Sequence, residues 1–171
     1  MRNLRVFILA LSAGAIFALS VSPAALAGGK EHWQQAKAAL ISQFPSEKDK
    51  FKDDFGDNIG KLETIYGQIV KENEKDSKKI SSQWPEAIRL ATLLKTTIVS
   101  YKGIISSITV GSVGDAKPGK GVAISLKMDA EVNAEKEAKT KALDALQDIQ
   151  KSVENVVTQC KKVIKSSSVC G

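Results

Sequence analysis

The stretch from Ala142 to Val163 reads ALDALQDIQKSVENVVTQCKKV. Within it Ala142, Leu146, Ile149, Val153, Val156, Cys160 and Val163 follow one another at steps of 4, 3, 4, 3, 4 and 3 residues. At 3.6 residues per turn this spacing draws one apolar seam down a helix, with Lys, Asp, Gln and Glu on the rest of its circumference. A seam of three heptads packs along a neighbouring helix at a shallow angle, which predicts a bundle. The helix is expected to begin near Asn133 and to end in the Ser166–Ser168 run. Its partner is either another helix of the chain or a second copy, so self-association through 142–163 is left open.

Upstream, Trp33, Ala36, Leu40, Ile41 and Phe44 recur at helical steps, and Pro45 ends that first helix. Ser46 stands where an N-cap belongs, with Glu47 and Asp49 in the turn that meets the positive end of a helix dipole. Phe51, Phe55, Ile59, Leu62, Ile65 and Ile69 continue the stripe, which predicts a second helix over roughly 46–80. Gly56, Gly60 and Gly67 each cost about 1 kcal/mol relative to Ala in a helix. The expectation is an unbroken but locally bent helix. Pro85 suits the first position of a third helix running to about Lys102, with Ile88, Leu90, Ala91, Leu94, Ile98 and Tyr101 inward. The words SQFP (42–45) and SQWP (82–85) share turn chemistry, but the blocks around them do not repeat.

Between the third and last helices the period changes. Val122, Ile124, Leu126, Met128, Ala130 and Val132 alternate with Ala123, Ser125, Lys127, Asp129 and Glu131, the two-residue period of a strand. Ile104 to Val113 is rich in Ile, Val, Thr and Ser, and GDAKPGKG between the two runs is dense in turn residues. The expected fold is mainly α: a bundle of about four helices with a β-hairpin, or a long irregular segment, over 104–132. Gly114, Gly119 and Lys120 fit the phosphate-cradling GxxxxGK word, but Gly121 replaces the Ser or Thr that would hold magnesium, and strand-like residues follow where a helix should start.

The beginning of the chain has the order of a secretory signal peptide. Arg2 and Arg5 precede an apolar run from Val6 to Val21, and Ala25 and Ala27 offer a small-residue cleavage site, so residues 1–27 are expected to be removed. The run is shorter than the roughly 20 residues of a permanent membrane span. Gly28 and Gly29 stand where a lipoprotein would need Cys. Residues 28–171 then form a single domain whose 22 Lys, one Arg and 19 acidic residues give a net charge of +4. Nucleic acid is not an expected partner, because phosphate and base readers cluster Arg with aromatics and only Arg89 is left. Cys160 and Cys170 are expected to pair in an oxidising compartment, tying the tail to the last helix.

No catalytic constellation is legible. His32 is the only histidine, with no second His and no nearby Cys to complete a zinc site. His32 and Met128 lack the CxxCH word of an attached haem, and no cofactor is expected. Asp53, Asp54 and Asp57 lie among lysines, as a solvated face does. The expected function is therefore that of an exported, periplasmic or extracellular, non-enzymatic bundle. It would touch a protein or cell-envelope partner through a helix face or through Ile104, Ile105, Ile108, Val110, Val122, Ile124, Leu126 and Met128. The alternative is membrane insertion of 104–132: long helices ending in an amphipathic hairpin are similar in silhouette to helical pore-forming toxins, with which the chain shares no motif. A small-ligand or haem carrier is the third expectation.

Overall fold

A computed structural model describes residues 28–111, 122–164 and 167–170, the side chains of 122–128 and of 167 and 168 excepted. The expected leader, residues 1–27, and the GxxxxGK word both lie outside the described residues. Four helices carry the fold: α1 (Gly29–Gln43), α2 (Asp54–Lys75), α3 (Trp84–Ser107) and α4 (Val122–Val163). A one-turn α5 (Ser167–Cys170) closes the chain. Helix α4 packs along both α1 and α3, and α2 lies against the same two helices from the other side, so α1 and α3 each sit between α2 and α4.

The seam that predicted the bundle is its spine. Ala142, Leu146, Ile149, Val153, Val156 and Cys160 are all buried, against α1 and α3 of the same chain. The seam's partner is thus intramolecular, and its inner residues are not on the surface for a second copy. The third helix buries Ile88, Leu90, Ala91, Leu94, Ile98 and Tyr101 as its period requires. Cys160 and Cys170 form a disulfide with Cα atoms 5.8 Å apart, and α5 is held against α3 and α4. Such a pair fits an oxidising environment. Among the described residues no helix is long and apolar enough to cross a membrane.

Two expectations are corrected. The second helix does not run from 46 to 80. Pro45–Lys50 is a 3-10 turn with Pro45 at its start, Ser46 lies within that turn and caps nothing, and α2 begins at Asp54. The break falls at Phe51, which leaves the helical path to enter an aromatic cluster with Trp33, Phe55 and Tyr101, ring centroids 5.0 to 6.2 Å apart. The Tyr101 hydroxyl accepts the Lys52 N–H at 2.9 Å and fixes the bend. Aromatic burial, at 150 Å² or more per ring, outweighs one further turn of exposed helix. The glycines do not interrupt α2; a Cβ built on Gly56 would lie 3.8 Å from the Trp33 ring on α1, an ordinary contact.

The second correction concerns 104–132, whose described residues contain no strand. Ile104–Ser107 is the last turn of α3, and Val122–Val132 is the start of α4. From Val122 to Val163 there is neither Gly nor Pro, so the helix nucleated at the buried seam propagates 42 residues, about 63 Å. The intended partner strand is also committed elsewhere: Ile105 and Ile108 are buried in the bundle core. Propagation and core burial together outweigh a two-residue alternation.

Candidate functional site

Over much of the bundle the surface mixes charges of both signs, some of them paired. Lys37 meets Asp53 at 2.7 Å and Lys30 meets Asp57 at 3.0 Å, so the Asp53, Asp54 and Asp57 cluster faces water and lysines. The Lys37 ammonium holds the Asp53 carboxyl below the usual carboxylate range. On α4, Lys141 pairs with Glu137 and Lys151 with Asp148. An open groove between α1 and the 3-10 turn is lined by Lys37, Lys48, Lys52, Asp49 and Asp53, again of mixed sign. His32 is exposed on the first turn of α1, and among the described residues no three of His, Cys, Asp and Glu converge as metal ligands do.

The outer side of α3 is different. Between Glu86 and Asp115 the chain has no acidic residue, although it carries 19 in all. Thr92, Thr96, Val99, Gly103 and Ser106 follow at steps of 4, 3, 4 and 3 along the exposed side, a second seam facing away from the core. Leu93 and Ser100 flank it. Leu93 is 43% exposed and Val99 65% exposed, two of the three large exposed hydrophobic residues among those described.

The hydroxyls make this face more apolar than its composition. Thr92 Oγ1 donates to the Ile88 carbonyl at 2.9 Å, Thr96 Oγ1 to Thr92 at 3.2 Å and Thr97 Oγ1 to Leu93 at 3.0 Å. Each hydroxyl folds back onto the preceding turn, leaving its methyl group for the surface. The nearby cations are drawn aside. Arg89 makes a two-pronged pair with Glu86, both bonds 2.7 Å, and Lys102 Nζ donates to the side-chain oxygens of Gln147 and Gln150 on α4 at 2.6 Å each. Lys95 borders the strip. A Cβ built on Gly103 would meet nothing within 4 Å, so no close approach inside the bundle requires a glycine there.

The residues singled out from sequence are distributed otherwise. Ile105 and Ile108 lie in the core, while Ile104 and Val110 are partly buried against it. Val122, Ile124, Leu126 and Met128 belong to α4, with side chains outside the described set. The end of α3 is fastened to α4 by Lys139, whose ammonium donates to the Ile108 carbonyl, and by Glu135, which accepts the Gly111 N–H at 2.7 Å. Residues 104–110 thus form an anchored helix end, and the exposed uncharged strip runs from Thr92 on the same helix into its last turn at Ser106, on the opposite side from Ile105 and Ile108. The acid-free interval was its one sequence signal; the back-turned hydroxyls are visible only in three dimensions.

Compared with known protein families, curated proteins and solved structures, the chain matches none.

Proposed function

We propose that the protein is an exported, non-catalytic bundle that works by contact, and that the outer face of α3 receives a helix of a partner protein. The observation that carries this is the uncharged strip Thr92–Thr96–Val99–Gly103–Ser106 with Leu93 beside it, set in a surface of mixed charge. Heptad-like steps match the ridge of an approaching helix, and small side chains around a glycine let its backbone come close. The border charge of the strip is Lys95, with no acid between Glu86 and Asp115, so the complementary helix carries acidic residues along its edge. Export is supported by the leader-like order of residues 1–27 and by the Cys160–Cys170 bond.

Membrane insertion of 104–132 is the weaker reading, because Ile105 and Ile108 would have to leave the core at about 1.5 to 3 kcal/mol each. The test is photo-crosslinking in the native envelope from a reactive residue placed at Val99, with the same residue at exposed Lys71 on α2 as control. Adducts from Val99, absent from Lys71, that map to an acidic-edged helical segment of another protein support the proposal. Adducts to lipid, adducts to a second copy, or equal yields from both positions overturn it.

A further inference from the structure

The start of α1 rests on a carboxylate from α2. Glu63 Oε1 accepts the N–H of Gly29 at 2.8 Å and of Lys30 at 3.3 Å, so a side chain 33 or 34 residues away satisfies two of the donors that a helix start leaves open. Both residues that follow the expected cleavage point are suited to this approach. A Cβ on Gly29 would fall 3.1 Å from Glu63 Oε1 and 3.3 Å from Ile59 Cγ2, displacing the carboxylate. Gly28 has φ +90° and ψ 2°, a left-handed conformation that favours glycine.

The ψ angle of Gly28 decides where its nitrogen lies. At ψ near zero two successive backbone nitrogens are eclipsed, about 2.8 Å apart by standard bond lengths and angles. Since Gly29 N is 2.8 Å from Glu63 Oε1, the Gly28 nitrogen is within about 6 Å of the same oxygen, inside the range over which opposite charges stabilise one another.

While Gly28 is joined to Ala27 that nitrogen is a neutral amide, and burial holds the Glu63 carboxyl above its usual range in spite of the two N–H bonds. The other charges at the groove are Glu31, which adds to the upward push, Lys30, whose ammonium is engaged by Asp57, and Lys61. Hydrolysis of the Ala27–Gly28 bond consumes one water and yields the Ala27 carboxylate and the Gly28 amine, which takes up a proton at neutral pH.

We propose that processing after Ala27 places the Gly28 α-ammonium in an ion pair with Glu63, so that removal of the leader itself tightens the α1–α2 contact. The proposal rests on the export reading above. It runs against the ordinary rule, since a free ammonium at a helix start opposes the dipole and acetylating it normally stabilises.

The test begins by reading the first residue of the protein isolated from its host by mass spectrometry. Thermal unfolding is then compared for the processed chain with a free and with an acetylated Gly28 amine, each with Glu63 and with Glu63→Gln, which keeps an oxygen for the two N–H groups. Acetylation is expected to lower Tm by about 2 to 4 °C in the Glu63 chain and not in the Glu63→Gln chain. A native first residue other than Gly28 overturns the processing and the pairing together. A native Gly28 whose acetylation leaves Tm unchanged or raises it overturns the pairing alone.

Discussion

The inner side of α3 and the Thr92–Ser106 strip on its outer side both lack charge but differ in what the fold does with them. On the inner side Leu90, Ala91, Leu94, Ile98, Tyr101 and Ile105 are all at or below 5% exposure, and the bundle accounts for every one of them. On the outer side Thr92, Leu93, Thr96, Val99 and Gly103 are exposed, and no neighbour among the described residues accounts for their lack of charge. A folding domain needs one apolar stripe per helix; the second stripe needs a reason outside the chain.

The contrast is sharpest in what each side contributes to stability. Leu94→Ala removes a fully buried side chain from the inner face and is expected to cost about 2 to 5 kcal/mol, a fall in Tm of about 5 to 20 °C by thermal circular dichroism. Reducing the Cys160–Cys170 bond releases α5 from the inner, N-terminal end of α3; a loop of this length contributes roughly 2 to 3 kcal/mol, so Tm should drop by about 5 to 10 °C in dithiothreitol. Gly103→Ala, on the outer face, reverses the sign. The added methyl meets nothing and the helix gains about 1 kcal/mol, so Tm should rise by roughly 2 to 4 °C while crosslinking from Val99 weakens as the approaching helix is held off. A fall in Tm for Gly103→Ala would mean that the outer face is in use within the bundle.

The same division explains what was legible in the sequence. Periodicity identifies faces that the fold buries: the 142–163 seam and the inward residues of α3 stand where their spacing put them. It fails where local pattern competes with a longer-range effect. The alternation from Val122 to Val132 imitates a strand, but those residues are an unbroken extension of a helix whose stability comes from twenty residues further on. Phe51 and Phe55 share a four-residue spacing that imitates one continuous helix; only the meeting with Trp33 and Tyr101 shows why the chain bends between them. The candidate site was hidden for another reason. Threonine counts as polar in any pattern, and only the bonds from Thr92, Thr96 and Thr97 to the preceding turn turn those residues into methyl-bearing ones.

The most direct measurement is thermal unfolding of the processed protein carrying Leu93→Lys and Val99→Lys together. If the outer face of α3 takes no part in the chain's own packing, the two lysines project into water and Tm stays within about 2 °C of the parent, as substitutions on an uninvolved surface do. A fall comparable to that of Leu94→Ala would contradict the account, because it would show that the strip is covered by the protein itself and is not a surface held in reserve for a partner.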